Sequence, residues 1–432
     1  MATLAQIHDA IPPEGLFAGK EWLVSPEPFP LSERDQEELE KLGYRLTLFN
    51  KAANLLYQQS VQGKQPRWIA DYLDRGKPPE LLELARSAAL KKALPGVIRP
   101  DIILTETGWT IAELDTVPGG IGLTAWLNQT YFQLGHNVIG GPTGMIDGFR
   151  SLLPDGGEIL VSEESATYRP EMQWLTNQLN ANSEPSSNPF WTVGRAESPT
   201  PDATAYYRFF ELFDLTNLPH IDLTRMKITP PPKPYLEEKL WFALFWMRPL
   251  REFWRRELSE RHFLKLQQVI PYTWIMDPEP LPHFATLPGL DLQNWMELGS
   301  LSQKQREFVC KISGFSELAW GSRGVHVAQD LPQKEWAAVV ENALASFPHH
   351  PYILQRFHKG KQIAHPYFDR ETGDVKTMHG RVRLCPYYFV KDDHATLSGA
   401  LATIVPADKK LLHGMTDAIL CPAEIVSRSP NS

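Results

Sequence analysis

Between Ser32 and about Leu94 the apolar positions recur every three or four residues. The segments ERDQEELEKL, NKAANLLYQQSV and PELLELARSAALKKAL each predict a helix, with Pro79 suited to a helix start and Pro95–Gly96 to a stop. The period changes after Gly96. RPDIILTETGWTIAELD alternates and is rich in branched residues, which predicts a hairpin of Asp101 to Thr105 and Trp109 to Asp115 with its turn over Thr105 to Gly108. The loop TVPGGIG and a helix, LTAWLNQTYFQLG, follow and end near Gly135.

From 136 to 225 short apolar runs alternate with helical stretches. GGEILVSEESATYRPEMQWLTNQL reads as strand, loop and helix, and FWTVGRAE and AYYRFFELFDL as further apolar runs of a small α/β unit. The loop NANSEPSSNP between them reads as exposed and functionally silent. TPPPKP at 229–234 is a stiff connector. Beyond it a helix is expected from Tyr235 to Met247 and a second after Pro249. FVCKI, GVHVA, PYILQRF and RVRLCPYYFV then read as strands and KEWAAVVENALASF as a helix. No fixed-period repeat is visible.

Length and charge narrow the class. At 432 residues the chain can form two or three domains, each with a proper core. The 43 Lys and Arg against 51 Asp and Glu give −8, with no basic tail or stripe, which argues against nucleic acid as the main partner. Cys310, Cys385 and Cys421 lie far apart and form no CxxC, so neither a zinc ribbon nor a disulfide framework is supported, and a reducing compartment fits. The first residues lack a basic and then apolar leader, and the greasiest stretch, LWFALFWMRPL, is too short to span a bilayer and contains Arg248 and Pro249. A soluble cytoplasmic protein with no membrane partner is the expectation.

The hairpin carries the strongest candidate chemistry. If Thr105 pairs with Trp109, Ile103 faces Ile111 and Asp101 faces Glu113, and two-residue periodicity puts Asp115 on the face of Glu113. Three carboxylates on one face repel, and a hard cation such as Mg²⁺ would resolve the conflict. Arg99, just before the strand, can reach the carboxylates or a phosphate. The same spacing also fits an exposed hairpin end whose acids pair with lysines.

Residues 308–327 read as strand, Gly/Ser-rich loop and strand. Lys311 closes the first strand, and Gly314, Gly321, Arg323 and Gly324 lie in the loop. Freed backbone amides and cationic side chains can cradle phosphate oxygens, as in the strand-loop-strand flap over a kinase nucleotide. The loop is neither a Walker A loop nor a GxGxxG fingerprint, and a surface hairpin with a Gly-rich turn fits it equally. In PYILQRF, Gln355 interrupts an apolar strand that could lie along an adenine ring or be a plain core strand. Arg381 and Arg383 share a face, near Lys409, Lys410, His413 and Asp417. Such a face suits a carboxylate or phosphate, or braces the domain through ion pairs. The 13 histidines, His349 and His350 among them, show no HExxH, and no GxSxG occurs. Cys310 and Cys385 have no evident base partner, leaving thiol chemistry as a weak option.

Together these features resemble the circularly permuted ATP-grasp proteins typified by the carboxy-terminal domain of glutathionylspermidine synthetase. That family carries Arg-x-Asp and, about a dozen residues on, Glu-x-Asn. Arg99-Pro100-Asp101 and Glu113-Leu114-Asp115 match, except that Asp115 stands where Asn is usual, which puts a second metal position in doubt. The resemblance runs over about 99–130 and 230–360. It implies an α+β, circularly permuted ATP-grasp fold: a mainly helical cover over 1–98, the metal-binding hairpin over 99–130, a pre-ATP-grasp-like α/β unit over 131–228, and the remaining core with its flap over 229–432. It further implies ATP and Mg²⁺, with Asp101, Glu113 and Asp115 as metal ligands. Lys239, Lys311, Gly314, Gly321, Arg323, Gly324 and Gln355 would contact the nucleotide, and Arg99, Lys311 and Arg323 would act in catalysis. The implied activity is a carboxylate–amine ligase working through an acyl phosphate on small-molecule or peptide substrates. An ATP-grasp kinase and a catalytically silent nucleotide-binding protein are the alternatives.

Overall fold

The computed structural model describes residues 3–12, 16, 21–181, 190–201, 203–218, 221–283, 285–319, 321, 323–409, 411–412 and 416–426. The chain divides into two compact units. The first contains Met1–Thr47, Leu94–Pro232 and Gly360–Ser432, and the second Leu48–Ala93 and Lys233–Lys359. The segment 1–98 expected as one helical region therefore contributes to both units, and 229–432 is divided in the same way.

Helix Glu33–Val61 unites the first two expected helices, because Leu39, Leu42, Leu46, Phe49, Ala53 and Leu56 keep one buried stripe through the GYRLTLF that joins them. Helix Trp68–Asp74 follows, and helix Pro79–Arg86 starts at Pro79 as expected but stops at Arg86 instead of near Leu94.

In the first unit a seven-stranded sheet runs in the order Phe29–Leu31, Ile419–Ile425, His394–Pro406, Val375–Lys391, Val97–Thr105, Gly108–Asp115, with Ile363–Phe368 also paired to Val375–Lys391. Its pairings are antiparallel apart from Phe29–Leu31 on Ile419–Ile425. A second, fully parallel sheet orders Phe190–Arg195, Gly156–Val161, Tyr206–Phe209 and Ile228–Thr229, the small α/β unit read from the sequence. Helix Ile121–Gln133 is buried on nearly every side, so it lacks a polar face. It shares one core with helices Gly144–Leu152 and Arg169–Leu179, in which Leu127, Phe149, Ile159, Met172, Tyr207 and Phe389 pack together.

The second unit holds a four-stranded antiparallel sheet ordered Val325–Val327, Phe308–Ile312, Tyr352–Arg356, Thr273–Ile275. One face, with Trp274, Phe308, Cys310 and Leu354, packs with Trp336 and Val340 of helix Gln333–Ser346. The helix expected over Tyr235–Met247 is split into a 3₁₀ turn, Pro234–Glu237, and helix Leu240–Trp246, with Glu238 extended between them. Phe245 and Trp254 of the following helix, Arg251–Val269, gather on Phe49, whose ring stacks on Trp254 at 5.3 Å.

Candidate functional site

The hairpin forms, but with a tighter turn than its spacing suggests. Thr105 pairs with Gly108 and Ile102, not Ile103, pairs with Ile111. A bulge then absorbs Ala112, and the register recovers as Asp101 opposite Glu113 and Arg99 opposite Asp115. Directly opposed residues share a face, so Arg99, Asp101, Glu113 and Asp115 sit together after all. Asp101 and Glu113 both act electrostatically on Asp115.

Guanidinium groups meet the resulting charge. Arg99 Nε donates to Asp101 Oδ1 at 3.0 Å and its Nη2 lies 3.0 Å from Asp115 Oδ2, while Nη1 donates to the Gly119 carbonyl. Arg383 Nη1 donates to Asp101 Oδ2 at 2.9 Å from the neighbouring strand, and the Cys385 thiol donates to Oδ1. Burial alone would raise the Asp101 pKa, but Arg99 and Arg383 hold it below the usual carboxylate range. Asp115 goes the other way: burial raises it more than Arg99 lowers it. Among the described residues no group of three or more His, Cys, Asp or Glu side chains forms a preassembled metal site. The donor chemistry of Asp101, Glu113 and Asp115 is all-oxygen and suits a hard cation, which would have to share Asp101 and Asp115 with the arginines.

In the second unit the strand face turned away from the Trp336 core carries a polar row. Lys311 Nζ donates to Gln355 Oε1 at 3.1 Å, and Gln355 Nε2 to Thr273 Oγ1 at 3.3 Å, all three residues being buried. Lys239 stands at the start of helix Leu240–Trp246, and its Nζ donates to the Ala319 carbonyl in the Gly-rich loop. That loop contains a 3₁₀ turn, Glu317–Ala319, and is tied back by Gly324 N donating to the Leu318 carbonyl. Gly321 has φ +64°, a left-handed backbone that favours glycine. A Cβ on Gly314 would meet the Glu238 carboxylate at 3.0 Å. Arg323 lies in the turn before strand Val325–Val327.

The two arginines expected on one face lie two apart in an unbroken stretch of strand but take different partners. Arg381 is spent on backbone, donating to the carbonyls of Gly360, Ala407 and Lys409, whereas Arg383 joins the carboxylates. Lys410 and His413 lie outside the described residues, as does the whole SEPSSNP segment. All three cysteines are buried and free, and burial pushes their thiols up, Cys385 to about 12, which removes the thiolate that nucleophilic chemistry needs. The spacing of the sequence gives no sign of Lys77, Glu238 or Ser313, whose side chains meet beside Lys239; Arg383 could be found only by knowing which strand adjoins the hairpin.

No helix among the described residues is long and apolar enough to cross a membrane. No protein-family model matches the chain, and no curated protein sequence is similar to it. Solved structures are more informative. A glutathione synthetase-like effector from Globodera pallida, in its apo form, superposes with a TM-score of 0.56 over 98% of this chain and 97% of its own, at 11% identity. A candidate gamma-glutamylcysteine synthetase from Methylobacillus flagellatus KT gives a TM-score of 0.40, 14% identity and coverage of 85% and 86%. With the first likeness spanning both chains nearly end to end, the fold of this protein is like that of the glutathione synthetase-like effector.

Proposed function

We propose that the chain is an ATP-dependent carboxylate–amine ligase on a circularly permuted ATP-grasp fold, releasing ADP and phosphate. The observation that carries the reading is the buried row Lys311–Gln355–Thr273 next to a Gly-rich loop held by Lys239. An ammonium on a sheet face beside a Gly-rich loop can donate charge-assisted hydrogen bonds to a nucleotide's phosphate oxygens. Gln355 offers an amide to the edge of an adenine ring. Lys239 and Arg323 offset phosphate charge, and the loop 313–324 excludes water.

Magnesium, where bound, would neutralise phosphate oxygens, with Glu113, Asp115 and Asp101 as its ligands. Arg99 balances charge as a substrate carboxylate attacks the γ-phosphorus and ADP leaves. An amine then attacks the acyl carbon and phosphate departs.

The test is calorimetry with a non-hydrolysable ATP analogue and Mg²⁺, followed by a carboxylate screen for ADP release with hydroxylamine present. A hydroxamate, together with an amide when a natural amine is supplied, is expected. An alcohol-dependent phosphate ester with no hydroxamate would make the protein a kinase. Unchanged turnover in Glu113→Gln at limiting Mg²⁺ would remove the metal assignment.

A further inference from the structure

A charged pair in the second unit lies beside both nominated lysines. Lys77 and Glu238, each with a side chain only 1% exposed, form an ion pair. Glu238 uses its other oxygen to accept from the Ser313 hydroxyl. Ser313 is the first residue beyond the strand that carries Lys311, and it is clamped to the start of the Lys239 helix. Lys239 N donates to the Ser313 carbonyl at 3.0 Å, and Leu240 N to Ser313 Oγ at 2.9 Å. Ser313 N donates in turn to the Pro351 carbonyl. The next residue, Gly314, runs so close to Glu238 that a side chain would strike its carboxylate. Phe315 follows at φ +46°, its ring 5.6 Å from Lys77 Nζ.

We infer that the Lys77–Glu238–Ser313 network is a positioning device: it fixes Lys239, Lys311 and the root of the Gly-rich loop relative to one another for nucleotide binding. The inference rests on the ligase reading above and adds residues that touch no nucleotide in it. Lys77 holds the Glu238 carboxylate in place, Glu238 orients the Ser313 hydroxyl, and Ser313 sets where both lysine-bearing segments meet.

Calorimetry with the ATP analogue is run on the full chain, on Ser313→Ala, Ser313→Thr and Lys77→Met, and on the charge-neutral double variant Lys77→Met/Glu238→Gln, which still reports on the network if Lys77→Met does not fold. Ser313→Ala and the double variant are expected to bind about tenfold more weakly, with Ser313→Thr restoring affinity because it keeps the hydroxyl. Wild-type binding with equally tight binding by Ser313→Ala and the double variant overturns the positioning role and leaves the nucleotide reading standing. A loss in Ser313→Ala that Ser313→Thr does not recover traces to packing and overturns it as well. No binding by the wild type overturns the nucleotide reading, and the positioning role with it.

Discussion

His365 is buried beside Ser25, with Nε2 3.0 Å from Ser25 Oγ, and burial pushes its pKa down to about 4 against a stabilising backbone contact at Glu27. Below its ordinary value near 6.5 the unfolded chain therefore takes up a proton that the folded chain refuses. Stability is lost as pH falls from about 6.5 to about 4, by roughly 3 kcal/mol in all. Replacing His365 with Gln, which does not titrate, is expected to shrink the stability difference between pH 7 and pH 4.5 by about 2 kcal/mol in urea titrations. Lys311→Met keeps the apolar stem and removes the charge. It should weaken binding of the ATP analogue roughly tenfold to a hundredfold in calorimetry, the range of a charge-assisted hydrogen bond, and unchanged affinity would make Lys311 a structural lysine. At this scale Arg99, Asp101, Glu113 and Asp115 were legible because their spacing is local. The pairing of Arg383 with Asp101 and the part played by Glu238 were not, since each depends on a residue far off in the chain.

Among the elements, the hairpin shows how a strand can reach the expected face by an unexpected route. The two-residue turn puts Ile111 opposite Ile102, and the bulge at Ala112 returns Glu113 to Asp101. Deleting Ala112 should therefore remove the bulge and leave Glu113 opposite Asp101 and Asp115 opposite Arg99 in a regular ladder. The deletion is expected to cost about 1 kcal/mol or less in urea titration, as is Ala112→Gly, and a loss of several kcal/mol, on the order of breaking a buried pair, would show that the carboxylates do not keep this register. The helical elements largely followed their apolar period, although the first two merged and the third stopped at Arg86. The split at Glu238 did not, because its extended backbone serves a side chain drawn into an ion pair that periodicity does not register.

At the scale of the whole molecule, two units with separate apolar clusters predict thermal unfolding that departs from a single two-state transition. Asp101→Asn leaves two arginines short of charge in the first unit, and Lys77→Met leaves Glu238 unpaired in the second. Each should cost about 3–5 kcal/mol. Scanning calorimetry is expected to show each variant moving a different component of the endotherm; a uniform shift in both would mean that the chain unfolds as one unit. The sequence by itself determined the helices, the hairpin, the small α/β unit and the Gly-rich loop, because hydrophobic period, glycines and prolines act over a few residues. Tertiary structure alone decided that the chain divides at Thr47 and Leu48 and that Arg383 stands beside Asp101 from 282 residues away. Strand neighbours and buried counter-charges depend on which sheet edges meet, and an alternating pattern says which face a residue takes without saying what lies across from it.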